Sequence, residues 1–499
     1  MTELYKNLGF RNHPFSKFSA EEETEYLGEI FLKPRYFNTL LTDLKSGASR
    51  FILGERGSGK SALVLELSKT LADDNVFSVI IDNYDGIPLN NNDRNLLHLI
   101  IKNLLKTYVA SIFKNRHLLG NLNKQDKERL SLIISDFFSP ISKREFQEAY
   151  NKVTKYKIRN WFARGFNKIF NKPLNWALSI GLEITSDFIS KSLNLPKTHN
   201  NNFYKSYIPE VELEKVPEPQ KLATLLGNYN LLKEILISLV EIIQKSGYSS
   251  TVVFLDKIDE FKLLEGKIKK IVDFTEQILK DTGLLYFNNL SIVFSIWTEV
   301  KIELNAKGVR FDKFKPIDVN WTDNEINQIL QKRIDYFSMS PTYNIHNLVG
   351  DTNALSDLVE LSYKSPRDMI RLFSTVFDEQ AIHDSNVKII EQAAIDSAKV
   401  VFCKSYDFYS VFPSKRGTKE DIISIVNRIL RVGKVNFRTT DLVAEFKYSQ
   451  QSAISYIKIY KDYGLVRDEG NIVSGGTKGF EVVDPKLIYL VNSGIKSIS

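Results

Sequence analysis

Four runs of consecutive apolar residues stand out from an otherwise helical pattern: Phe51 to Leu53, Val76 to Ile81, Thr251 to Leu255 and Leu290 to Ile296. None alternates apolar with polar as a half-exposed strand does. Each therefore predicts a strand buried on both faces, the habit of a parallel sheet. Elsewhere the apolar positions recur at helical spacing. Leu96, Leu97, Ile100, Ile101, Leu104 and Leu105 share one helix face, as do Leu231, Ile235, Leu236, Leu239, Ile242 and Ile243. The stretch from 92 to about 246 reads mostly as helix, with a polar, Pro-bearing loop from Pro196 to Pro219. From Thr322, which forms a capping box with Glu325, consecutive helices run to about 402, and Pro366 takes a favoured first-turn position in one of them. Before the first strand, residues 1–48 form a lead-in with a turn at Asn12-His13-Pro14-Phe15, an acidic helix start at Ala20 and a helix from Pro34 towards Leu44.

The last part has its own rhythm. A helix from Asp421 to Leu430, a short strand at Lys434 to Phe437, helices at Thr440–Phe446 and Ser449–Tyr463, and a hairpin of Ile472-Val473 with Gly479 to Val483 follow in order. Helix, strand, helix, helix, hairpin is the winged-helix order. Its third helix would bring Ser449, Gln450, Gln451 and Ser455 to base edges, with Lys458, Lys461, Arg467 and Lys478 on phosphates. The face is polar rather than strongly basic, so a protein contact or an internal latch remains the other reading.

The chemistry gathers at the strand ends. After Phe51-Ile52-Leu53 comes Gly54-Glu55-Arg56-Gly57-Ser58-Gly59-Lys60-Ser61, then Ala62 opens a helical pattern. Strand, G-x-x-x-x-G-K-S and helix make the context of a phosphate-binding P-loop. The glycines let backbone N–H groups turn inward, and the helix N-terminus adds its positive end. Lys60 would reach the β- and γ-phosphates, and the Ser61 hydroxyl would ligate Mg²⁺. The Thr251–Leu255 run ends at Asp256-Lys257-Ile258-Asp259-Glu260. A carboxylate at such a strand end holds Mg²⁺, usually through water, which assigns Asp256. A carboxylate just beyond polarises the attacking water. Glu260 is the first choice and Asp259 the second. At the tip of the fourth strand, Ser295 and Thr298 are candidates to sense the γ-phosphate, or to cap a turn. Arg367, one residue after Pro366, is placed either to report that phosphate or to form a surface ion pair. Phe31 and Tyr36 are candidates to touch the base, against ordinary core packing.

Bulk composition narrows the setting. With 499 residues the chain predicts two to four domains, and 43% hydrophobic with 25% charged residues is ordinary for a soluble globular protein. The single cysteine, Cys403, leaves no internal disulfide, and six scattered histidines make no zinc-type cluster. No signal-peptide core or bilayer-length apolar run is present, so a cytoplasmic protein is expected. A net charge of +7 permits an acidic partner without demanding one. One stretch concentrates it: Lys152, Lys155, Lys157, Arg159, Arg164, Lys168 and Lys172 occur with no acid between, interleaved with Tyr156, Trp161, Phe162, Phe166 and Phe170. A nucleic-acid groove, a membrane-surface helix continuing into Leu174–Leu182, or an amphipathic core element would each look so. The membrane is the weakest of these.

On the P-loop, the Thr251–Glu260 strand, the Ser295–Thr298 tip and the Ser365-Pro366-Arg367 helix, the chain resembles bacterial ATPases of the AAA+/STAND group. Its last part is similar to the winged helices of origin-recognition ATPases and STAND switches. Asp256-Lys257-Ile258-Asp259-Glu260 departs from the adjacent Asp-Glu pair of most AAA+ proteins and is closer to the NACHT-type spacing. The resemblance implies an α/β P-loop core at 49–320 with a helical insertion at about 92–246, a helical lid at 321–403 and a winged helix at 404–499. It also implies ATP and Mg²⁺ as cofactors, ATP hydrolysis, and a setting in DNA transactions or phage defence; no arginine finger stands out, and Arg310 and Arg333 are the two candidates for one. Two readings follow. In one, nucleotide state controls binding of double-stranded DNA. In the other, a slow ATPase switches contacts with a protein partner or a further copy of the chain, and the winged helix is latch or docking surface.

Overall fold

The computed structural model describes residues 2–138 except Gly86, Asn90, Asn91 and Arg116, together with 229–340, 344–411, 421–469 and 479–498. The basic–aromatic stretch at 152–172, the apolar run 174–182, the loop 196–219 and Lys478 lie outside the described residues.

Five parallel strands form the central sheet: β1 (Arg50–Leu53), β2 (Phe77–Ile81), β3 (Thr251–Leu255), β4 (Leu290–Ile296) and β5 (Pro316–Asp318), in the order β2-β3-β4-β1-β5. β1 pairs on one side with β4, Ile52 opposite Ser295, and on the other with β5, Ile52 opposite Ile317. The sheet is covered on both faces, which is why its strands read as unbroken apolar runs. Ile52, Val252, Phe254 and Val293 point into a cluster with Leu63, Val64, Leu67 and the N-terminal segment. Their neighbours Phe51, Leu53, Val253, Leu255 and Phe294 point the other way, against the helices Asn92–Lys114, Tyr229–Lys245 and Ile268–Lys280. β5 was not expected; it is a three-residue edge strand, and Pro316 at its start is tolerated there.

Beyond β5 lie the helices Asp323–Phe337, Ile345–Val349, Thr352–Leu361, Pro366–His383 and Gln392–Lys404. The predicted capping box is formed, Thr322 N–H donating to Glu325 Oε2 at 2.8 Å and Glu325 N–H to Thr322 Oγ1 at 3.3 Å. The N-terminal segment packs back on this layer: Arg11 N–H donates to Phe337 O at 2.9 Å, and Phe15 lies 4.9 Å from Phe373, ring to ring.

The last described part contains helix Ile422–Val432, β6 (Asn436–Arg438), helices Thr439–Phe446 and Gln450–Asp462, β7 (Val466–Asp468), β8 (Gly479–Val482) and helix Pro485–Asn492. β6, β8 and β7 make an antiparallel sheet in that order, so helix, strand, helix, helix and two further strands follow one another; the strand paired with β8 is Val466–Asp468, whereas Ile472 and Val473, expected in the hairpin, lie outside the described residues. Asp421 and Ser449 cap the first and third helices. Among the described residues no helix is long and apolar enough to cross a membrane.

Candidate nucleotide site

β1 delivers the chain into the loop Gly54–Gly59, and Lys60 starts the helix Lys60–Asp73. Gly57 and Gly59 sit at φ +81° and +93°, the left-handed region that glycine enters without strain. At Gly57 there is a second reason: an added Cβ would come within 2.7 Å of Ser365 Oγ and 3.2 Å of Arg367 Cβ. The helix carrying Arg367 is therefore seated on the loop itself. Arg367 N–H donates to Gly57 O at 3.3 Å, and Ser365, which caps that helix, donates its hydroxyl to the same oxygen at 3.4 Å.

Lys60 is buried, and its ammonium donates to Gly54 O at 2.9 Å and Glu55 O at 3.0 Å. Burial pulls its pKa down, against the opposing pull of Asp259 and Asp256. Neutral carbonyls are weaker acceptors than phosphate oxygens, so the loop offers an anion a cation already in place. Asp256 follows β3, is 3% exposed and has its backbone fixed on both sides. Its N–H donates to Ile81 O at 2.9 Å, and the Tyr84 hydroxyl is 2.9 Å from its carbonyl oxygen. Ser61 and Asp256 line the same cleft, so a hydroxyl and a carboxylate are both available to a phosphate-bound Mg²⁺.

An open cleft runs between the P-loop, the β3 end, the lid helices and the N-terminal segment. Arg56, Gly57, Gly59, Lys60, Ser61, Ala62, Asp256, Asp259, Glu260 and Arg367 all line it. Gly54, Glu55 and Ser58 stand behind, shaping the loop. Its other end is apolar, with Leu27, Ile30, Phe31, Leu32, Ile329 and Ile370. Of the two aromatic candidates, Phe31 lines the cleft and Tyr36 does not. Ser295 is buried within β4 and Thr298 begins the helix Thr298–Ala306; neither lines the cleft.

Beyond β3, Asp259 is buried and Glu260 is 40% exposed. Burial raises the Asp259 pKa, opposed by Lys60 and Arg56. Lys257 holds Glu21 at 2.7 Å, tying the N-terminal segment to this loop.

Two participants, Trp321 and Glu23, escaped the sequence reading, and Arg333, considered there only as an arginine finger, has a different partner. Trp321, at the junction of sheet and lid, donates its indole N–H to Ser58 O at 2.7 Å. Glu23 and Arg333 form a buried ion pair across the apolar end of the cleft, Arg333 Nη1 lying 3.2 Å from Glu23 Oε2 and Nη2 closing on Oε1. Arg333 is thus engaged within its own chain, while Arg310 is exposed and paired with Asp312 at 2.7 Å. A tryptophan directly before a capping box was the one signal that pointed to Trp321.

No family model matches the sequence, and no curated protein sequence matches it. Among solved structures the chain is similar to the Aeropyrum pernix ORC2 protein in its ADPNP–ADP complexes, at TM-score 0.43 and 11% identity over 98% of each chain. It is also similar to A. pernix ORC1 in complex with DNA, at TM-score 0.35 and 10% identity over 93% of each chain. A third likeness is to Cdc6p from Pyrobaculum aerophilum, at TM-score 0.31 and 11% identity over 98% of each chain. Likeness at this level adds nothing to the strand order and the site residues, which by themselves make this an α/β chain with a P-loop on a parallel sheet.

Proposed function

We propose that the chain is an ATP-binding, Mg²⁺-dependent ATPase of the AAA+/STAND kind, whose nucleotide state is passed to its winged-helix unit. Lys60 and the loop N–H groups hold the phosphates. Ser61 and Asp256 hold the metal, Glu260 orients water, and Asp259 is the alternative for that role. The observation that carries the reading is the seat of the Pro366–His383 helix. Its first turn touches Gly57 through Ser365 and Arg367, while the next residue, Asp368, meets Lys486 of the last helix. A change at the phosphates therefore has a short path to the winged helix. Such a device works by favouring one of two states and has no need of rapid turnover.

The charge pattern favours a protein-facing winged helix. Lys434 pairs with Asp441, Arg431 with Glu445, Lys461 with Asp468 and Arg467 with Glu481, at 2.5, 3.3, 2.6 and 2.8 Å. Two of the expected phosphate contacts, Lys461 and Arg467, are thereby partly neutralised. The duplex-DNA reading keeps one observation of its own: Gln450, Gln451, Ser455 and Lys458 are all exposed on the third helix.

ATP turnover of wild type, Lys60→Ala and Glu260→Gln, with and without duplex DNA at low and high salt, tests both. Turnover lost in both variants and indifferent to DNA supports the protein-facing switch. Stimulation by DNA that fades with salt supports the second reading. Equal turnover in wild type and Lys60→Ala refutes the ATPase.

A further inference from the structure

The loop's own arginine occupies a junction that the proposed roles leave unexplained. Arg56, third residue of the P-loop, reaches out of the loop to the two carboxylates beyond β3. Its Nη2 lies 3.8 Å from Glu260 Oε1 and its Nε 3.9 Å from Asp259 Oδ2. Its guanidinium carbon lies 5.5 Å from the centre of the Trp297 ring, at the tip of β4. One cation thus joins the three strand ends of the cleft.

The two carboxylates differ. Asp259 is 7% exposed and lies under the influence of both Lys60 and Arg56, whereas Glu260 is 40% exposed at the open side. Glu260 has room to meet a water molecule, but an exposed carboxylate on a flexible stem samples several rotamers. The second cation near it, Lys257, is committed to Glu21 at 2.7 Å. Arg56 is 23% exposed, and the planar fork of arginine can face two carboxylates at once where a lysine is a single point charge.

We propose that Arg56 is a positioning residue for hydrolysis: anchored by Asp259 and the Trp297 ring, it holds Glu260 where that carboxylate orients the attacking water. The proposal rests on the ATPase reading of the cleft. It also divides the labour between the two acids, Asp259 holding Arg56 and Glu260 meeting the water.

The test measures kcat, and affinity for ADP and for a non-hydrolysable ATP analogue, in wild type, Arg56→Ala, Arg56→Lys, Glu260→Gln and the Arg56→Ala/Glu260→Gln double variant. Arg56→Ala is expected to lower kcat by about tenfold or more while both affinities stay within about threefold. Arg56→Lys recovers part of the rate. In the Glu260→Gln background, loss of Arg56 costs nothing further, because its effect passes through Glu260. Unchanged kcat in Arg56→Ala overturns the proposal. So does an undiminished penalty in the Glu260→Gln background, and so does a rate that falls only in step with analogue affinity, which would make Arg56 a phosphate ligand. If wild type turns over no faster than Lys60→Ala, with nucleotide affinity intact, the ATPase reading itself fails and takes this proposal with it.

Discussion

The ammonium of Lys486 lies 3.4 Å from the carboxylate of Asp368, with both side chains almost wholly out of solvent at 2% and 11% exposed. The Tyr406 hydroxyl donates to the same carboxylate at 2.7 Å, and the Tyr406 ring lies 4.3 Å from the Lys486 nitrogen. Asp368 is thus held from two directions by parts of the chain that follow the lid. Its neighbour Arg367 meanwhile rests on the P-loop. Removing one member of a buried pair strands the other. Lys486→Met should lower unfolding stability by about 3 kcal/mol, and the Asp368→Asn/Lys486→Met double variant by less than the sum of the single losses. Urea denaturation measures both.

Trp321 supplies the hydrogen bond that fixes Ser58 O, inside the phosphate loop. Trp321→Phe keeps the ring and leaves that carbonyl without its donor. The expected outcome is nucleotide affinity weaker by roughly tenfold, as read by calorimetric titration with ADP, with about 1–3 kcal/mol of stability lost to the orphaned carbonyl.

Glu23 and Arg333 join the N-terminal segment to the lid across the apolar end of the cleft. Glu23→Gln leaves Arg333 buried without a countercharge and loosens that closure. Fluorescent ADP should dissociate about tenfold faster, a part of what a buried pair is worth when broken. A stopped-flow chase reads the rate directly.

Two histidines set a pH dependence. Burial, with Arg333 for His13 and Lys102 for His98, lowers their pKa from the ordinary 6.5 to about 4. Below 6.5 the unfolded chain takes up protons that the folded chain refuses. Stability is therefore complete above about pH 6.5 and falls as the pH drops towards 4. His98→Gln should flatten part of that decline in urea midpoints taken across this window, since His98 is stacked on Phe137 at 4.7 Å beside the like charge of Lys102.

How much of this was legible follows from where each signal resides. β1 to β4 showed as apolar runs because both faces of the sheet are covered. β5 did not, because Pro316-Ile317-Asp318 has one apolar residue and owes its place to pairing with β1. Asp256, Asp259, Glu260 and Arg367 were singled out from local context, and one cleft gathers them with Arg56, Gly57, Gly59, Lys60, Ser61 and Ala62. The pairing of Glu23 with Arg333 was not, because 310 residues separate the two charges. Tyr36 was a candidate as part of the lead-in, and Ser295 and Thr298 as polar residues at a strand tip; none of the three lines the cleft.

The central claim is that nucleotide state moves the winged-helix unit, and a distance tests it. Cysteines introduced at exposed Asp73, at the end of the P-loop helix, and exposed Ser455, on the third winged-helix helix, would carry a donor–acceptor dye pair; native Cys403 is buried and stays unlabelled. The account predicts different transfer efficiencies with ADP and with a non-hydrolysable ATP analogue, a difference lost in Lys60→Ala and reduced in Asp368→Asn. The same efficiency in both nucleotide states, with binding of each confirmed, would contradict it.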